Sequence, residues 1–364
     1  LGDVRFAAGG TRITVVTSSG SATQVVVLDS ATGAQSGVPL SLSGGLYGPA
    51  RLVADGDRLV VTTSGSGSAL RIAVVDTTAG SQVGTTVAFS GQFSEMAFNA
   101  DGSRATVAMV SGGVTTVSVV DTVAGVVLGA PVDISGQLRS IQLTDNGTRA
   151  LVTLSAGADT QIAVIDVVTG IQLGATTTIA GAPSYSPAGV ISADGTRAVV
   201  NTLSAGSTRS AVIDLTAGAL VADGVILDGL PESGPGALFS PDGTRVAIFT
   251  MQFLPSGDRI SRAAVLDTAT GAQIGDTIVL DGYTTGESIA FNADGTVLLV
   301  NAGSYNSPTD SYTNRIVVVR TADGSQVGDT LVFDSVGQVR FNSAGARAVV
   351  VTERDGTVAV TSIA

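Results

Sequence analysis

The stretch SEMAFNADGSRATVAMV, residues 94–110, decides how this chain is read. Two runs rich in apolar and β-branched residues flank a tight turn signal, Asp101-Gly102, and Arg104 follows two positions after the glycine. This pattern predicts a β-hairpin. Glycine takes a positive φ at low steric cost, and β-branched side chains suit a pleated surface. Its arms are 94–99 and 104–110, and working outward, 116–121 and about 127–134 predict two more strands. Residues 94–134 therefore read as four short strands, a to d, bounded by Gly, Asp or Ser.

The turn recurs along the chain. It reads AGGTR at 8–12, ADGDR at 54–58, ADGSR at 100–104, DNGTR at 145–149, ADGTR at 193–197, PDGTR at 241–245, ADGTV at 293–297 and SAGAR at 343–347. The turn glycines lie 46, 46, 45, 48, 48, 52 and 50 residues apart, a period that belongs to propeller blades. No window sustains helical periodicity, so essentially no helix is expected. The expectation is an all-β fold: an eight-bladed β-propeller of four-stranded antiparallel blades around a central channel, strands a innermost, with seven blades as the alternative. It forms a single domain over 1–364, with repeats at about 1–45, 46–91, 92–136, 137–184, 185–234, 235–282, 283–335 and 336–364.

The eighth repeat supplies strands a, b and c at 337–342, 347–352 and 357–362, but no d strand. The edge between Thr357 and Ser362 is then expected to be open, and TVAVTS carries neither charge nor proline to discourage pairing. Two expectations follow. Residues preceding Leu1 in a longer polypeptide complete the blade, or a neighbouring molecule adds a strand there.

Comparison among the repeats assigns a structural pair. Arg follows the turn glycine in seven of the eight: Arg12, Arg58, Arg104, Arg149, Arg197, Arg245 and Arg347. Strand c ends in Asp in the first six, at Asp29, Asp76, Asp121, Asp166, Asp214 and Asp267, and a turn follows. Repeat 7 changes both positions, to Val297 and Arg320. A cross-strand Arg–Asp pair explains the joint change, and Asp also caps its own turn. These carboxylates are not spaced as calcium ligands.

The segments FSPDGTRVAI (239–248), FNADGTVLLV (291–300) and IAVIDVVTG (162–170) resemble the YVTN-type repeats of the lactonase-like propeller family, and the resemblance covers nearly the whole chain. It implies a propeller. Lactonase-like members hydrolyse cyclic esters, and other eight-bladed propellers hold quinone or haem cofactors, so fold alone does not give function.

Composition narrows the chemistry. The chain has 364 residues, a net charge of -12, and no His, Cys, Trp or Lys. Disulfides, His- or Cys-ligated zinc or haem, thiolate or imidazole catalysis and Schiff-base lysines are excluded within it. No cofactor is expected. The acidic balance argues against nucleic acid and anionic membranes, and no apolar run is long enough to span a bilayer. Acid–base work at the channel mouth falls to Asp, Glu or Tyr, with Arg as an electrostatic stabiliser. A pair such as Glu95 and Glu287 is the candidate for a lactonase-like hydrolase, although repeats 3 and 7 place them far apart. No nucleophile elbow, phosphate loop or dinucleotide fingerprint is present.

Alternating strands put the a–b and c–d turns on one face and the b–c and d–a connections on the other. Length variation falls on the second face, chiefly at 302–314, 251–258, 180–187 and 230–235. All five tyrosines fall there, Tyr47, Tyr185, Tyr283, Tyr305 and Tyr312, together with Phe93 and Phe253. The glutamates Glu95, Glu232, Glu287 and Glu353 lie there too, or at the start of the adjoining a strand. Variable aromatic loops on a rigid scaffold suit recognition. The binding candidates are Tyr185, Phe253, Tyr283, Tyr305 and Tyr312. A candidate anion site is Arg5, Arg51 and Arg340, which share one strand-a position in repeats that a closed ring makes neighbours. Pairing of Arg5 with Asp3 is the plainer alternative. The favoured reading is a non-catalytic binding or scaffold module of a larger secreted or cell-surface bacterial protein, with a protein or carbohydrate partner on the loop face. The alternatives are the hydrolase and a structural spacer.

Overall fold

The computed structural model describes residues 2–65, 69–184, 189–231, 236–284, 288–306, 311–333, 336–341, 348–354 and 357–363. Contacts group the chain into two compact units, Leu1–Ala156 with Ala163–Thr176, and Gly157–Ile162 with Thr177–Ala364. The β-propeller fold class is seen in the strand order. Eight antiparallel sheets follow one another in sequence among the described residues, each a meander of chain neighbours except that in repeat 5 two short first segments both pair with the strand Arg197–Ser204. The helical content noted is two short 3-10 turns, Ala8–Gly10 and Ala54–Gly56, at the a–b turns of repeats 1 and 2.

In the first unit, repeat 3 shows the pattern: strands Gln92–Phe98, Arg104–Ser111, Val114–Asp121 and Val126–Ser135 pair in that order. The sequence expectation was within two residues at each end. Strand b here is buried on both faces. Ala105, Val107 and Met109 pack with Val60 and Ile72 of repeat 2, while Ala108 packs with Ala150 and Val152 of repeat 4. Two-sided burial explains why RATVAMV lacks polar alternation. Each large aliphatic side chain so buried contributes about 1.5–3 kcal/mol of hydrophobic stabilisation. Strand d is largely exposed, with Ile134 its one fully buried side chain.

In the second unit, repeat 6 comprises Ala237–Phe239, Arg245–Phe253, Arg259–Asp267 and Gln273–Asp281, and repeat 7 comprises Ile289–Phe291, Val297–Asn306, Ser311–Arg320 and Leu331–Phe333. Strand a of repeat 5 is split into Ala182–Pro183 and Gly189–Ile191. Repeat 8 shows three strands, Val336–Phe341, Ala348–Arg354 and Thr357–Ile363.

The Arg–Asp pairs form in all six repeats that carry both residues. Arg12–Asp29, Arg58–Asp76, Arg104–Asp121, Arg149–Asp166, Arg197–Asp214 and Arg245–Asp267 meet at 2.7–3.1 Å. The two residues of each of the pairs 12–29, 104–121, 197–214 and 245–267 are direct cross-strand partners. In repeat 7 Val297 faces Arg320, which turns to Asp323 at 3.5 Å. Arg347 of repeat 8 lies outside the described residues.

One repeated close approach was not foreseen. Gly129 in strand d of repeat 3 has φ +64, and a Cβ there would sit 2.7 Å from the carbonyl oxygens of Thr169 and Gly170 in the c–d turn of repeat 4. Gly37 meets Ala79 and Gly80 in the same way between repeats 1 and 2. The last glycine of the D-x-x-x-G turn in repeats 2, 3, 4 and 6 thus serves contact with the preceding repeat as well as its own turn.

Candidate functional site

In repeats 6 and 7 the hairpin and connection residues converge. Strand b of repeat 6 turns tightly at Leu254–Asp258, where Leu254 N–H donates to Asp258 O at 2.9 Å, and this register sets Phe253 opposite Arg259. The Arg259 guanidinium carbon lies 4.9 Å from the Phe253 ring centroid and 5.2 Å from that of Tyr283. A cation over a ring face is attracted by the ring quadrupole, worth about 0.5–1 kcal/mol at an exposed site. Tyr283 is fixed by its backbone, which exchanges hydrogen bonds of 2.8 and 2.9 Å with Gly303 in strand b of repeat 7.

The 302–314 segment, expected as a loop, is instead mostly strand. Val297–Asn306 and Ser311–Arg320 continue as a long hairpin arm in which Tyr305 pairs directly with Tyr312. Their rings stand 4.7 Å apart, tilted by 41°. Likewise Phe253 and Phe93 end or lie within strands rather than loops. Phe253 is 63% exposed, Tyr305 48% and Tyr312 42%, so three apolar rings face solvent in one region. Arg259, Tyr305, Asp258, Asp281, Ser304 and Arg315 line an open hollow of about 740 Å³, and Tyr283 lines an adjoining one of about 230 Å³. Arg315 approaches Asp281 at 3.8 Å. The hollow thus offers paired charges, hydroxyls and ring faces, which suits a polar ligand that also stacks. Sequence reading missed Arg259. The available signal was its position, flanking the same short turn as Phe253.

The other candidates are distributed as follows. Tyr185, Glu232 and Glu287 lie outside the described residues, as does the side chain of Arg340. Arg5 donates to Asp3 at 2.9 Å, the plainer of the two readings. Arg51 sits 4.2 Å over the ring of Phe98. Both arginines border one hollow of the first unit, with Tyr47 and Phe93. Glu95 accepts a hydrogen bond from the Ile141 N–H at 3.2 Å. Burial pushes its carboxyl above the usual range, against the opposing pull of that hydrogen bond. Among the described residues no helix is long and apolar enough to cross a membrane.

No family model and no curated protein matches the chain. Among solved structures, it is similar to a eukaryotic initiation factor (14% identity, 97% of this chain and 82% of that one, TM-score 0.45). It is similar to the β-propeller domain of Cps50 from Myceliophteria thermophila (14%, 88% and 96%, TM-score 0.34). A third likeness is to a 6-phosphogluconolactonase from Bacteroides fragilis described as putative in its own name (15%, 90% and 97%, TM-score 0.34). The fold assignment rests on the chain's own succession of four-stranded antiparallel meanders, and these distant likenesses add no function to it.

Proposed function

We propose that the chain is a non-catalytic binding module of a larger secreted or cell-surface protein, and that it engages a protein or carbohydrate partner through the b–c and d–a edges of its sheets. The observation that carries this reading is the grouping in repeats 6 and 7. Arg259 is held between Phe253 and Tyr283, beside the exposed Tyr305–Tyr312 pair. Rigid aromatic side chains give large contact area at small entropic cost, and such residues with Arg dominate binding hot spots. The a–b and c–d turns spend their side chains differently, on ion pairs and turn caps within each sheet.

The test is direct binding of the whole chain to a glycan array and to proteins recovered by pull-down, followed by titration of each hit. Tyr305→Ala and Tyr312→Ala are each expected to weaken the true interaction by more than about 1 kcal/mol, with thermal unfolding little changed. An interface confined to the a–b turns, or turnover of lactone or ester substrates by the wild-type chain, would overturn the proposal.

A further inference from the structure

A second hollow, of about 450 Å³, lies in the first unit along strands Arg51–Val53 and Gln92–Phe98 and the connection before them. Its wall is mainly apolar, built from Met96, Phe98, Val60 and Leu70, with Tyr47 and Phe93 packed edge to face at 5.4 Å. Two cations border it, Arg5 and Arg51, and they are engaged differently. Arg5 is neutralised by Asp3 at 2.9 Å. Arg51 lies over the Phe98 ring and, among the described residues, meets no carboxylate. The contrast with the turn arginines is sharp, because each of those in repeats 1 to 6 has an Asp partner.

A guanidinium held by its face over a ring keeps its N–H donors, which point outward in its own plane. A carboxylate accepts two of them side by side. One charge without a carboxylate partner among the described residues matches a singly charged ligand better than a phosphate. The apolar wall beside it penalises a strongly hydrated inorganic ion and rewards a hydrocarbon body. We propose that this hollow binds a small apolar monocarboxylic acid, with its carboxylate on Arg51 and its hydrocarbon part against Met96 and Phe98. The proposal is independent of the recognition surface in repeats 6 and 7.

Calorimetric titration of the whole chain with octanoate, 1-octanol and inorganic phosphate tests it. Octanoate is expected to bind saturably and at least about tenfold more tightly than 1-octanol, and phosphate should not compete. Arg51→Met should bring octanoate down to the affinity of 1-octanol without changing the latter, and Arg5→Met should change octanoate affinity by less than about twofold. Octanoate should shift the methyl resonance of Met96 and leave that of Met251 in place. Should Arg51→Met fail to fold, the wild-type comparison and the Met96 resonance decide the matter by themselves. Equal binding of octanoate and 1-octanol, competition by phosphate, an unmoved Met96 methyl, or full octanoate affinity in a folded Arg51→Met variant would each overturn it.

Discussion

Asp214 uses its two carboxylate oxygens separately. Oδ1 accepts the backbone N–H groups of Thr216 and Ala217 at 2.8 and 3.0 Å, which closes the c–d turn. Oδ2 lies 2.9 Å from Arg197. Partial burial pushes its pKa up, but the Thr216 hydroxyl, the two backbone donors and Arg197 outweigh that and hold it below the usual carboxylate range. Asp166 and Asp267 are lowered in the same way, with burial again opposed by donors in the turn and by arginine. A carboxyl with a depressed folded pKa binds protons more weakly folded than unfolded. Its stabilisation is therefore complete above the unfolded value of about 4 and is lost as pH falls through the folded one. Asp214→Asn keeps an acceptor for the turn but loses the ion pair, and is expected to cost about 0.2–1 kcal/mol. Asp214→Ala loses the cap as well, at about 1 kcal/mol more. Urea unfolding at pH 7 should show that order, and the gap between wild type and Asp214→Asn should close below the folded pKa. An unchanged gap in acid would mean that the carboxylate charge contributes nothing.

At the level of elements, the d strands of repeats 1, 2, 3, 5 and 6 let the next repeat's turn come close. Gly129→Ala forces a side chain into φ +64 and places its Cβ 2.7 Å from two carbonyl oxygens. Neither backbone can retreat without disturbing a ladder, so the substitution is expected to cost well over about 1 kcal/mol. Gly112→Ala is the control, with a positive φ of +58 but nothing within 4 Å of the added Cβ. Thermal melts of the two separate packing from backbone strain, and equal losses would sink the close-approach argument. The strand order, the turn glycines and the Arg–Asp pairs were legible because each repeats at a fixed offset from one turn signal. The glycine contact was not, because Gly129 and Gly170 sit far apart in sequence and each already has a local reason to be glycine. The Tyr305 arm was misread for a compositional reason. GSYNSPTDSYTN, residues 303–314, is rich in turn formers, yet the Tyr305–Tyr312 register extends the ladder beyond the core. The tyrosines were visible in the sequence as candidates, but their pairing, and the seat of Arg259 between two rings, depend on register and on contact between repeats.

Across the whole chain, the sheets differ chiefly at their edges, and repeat 8 is the extreme case. Its described strands are Val336–Phe341, Ala348–Arg354 and Thr357–Ile363, and Thr357–Ile363 pairs with Ala348–Arg354 along seven residue pairs from Ala348↔Ile363 to Arg354↔Thr357. In an antiparallel ladder successive residues direct their N–H groups alternately to the two sides. Every second amide of Thr357–Ile363 therefore serves this ladder, and the others point towards the side where the preceding repeats hold a d strand. The segment TVAVTS has no charge and no proline, the features that usually blunt an exposed edge. We expect hydrogen exchange to alternate along the strand, with slow amides facing Ala348–Arg354 and fast amides on the other side. A peptide copying Val126–Ser135, the d strand of repeat 3, should slow the fast set while leaving the slow set unchanged, because it adds main-chain bonds on one side alone. Uniform protection before any peptide is added would show the edge already covered. Fast exchange that persists at saturating peptide would show that this edge does not accept a strand.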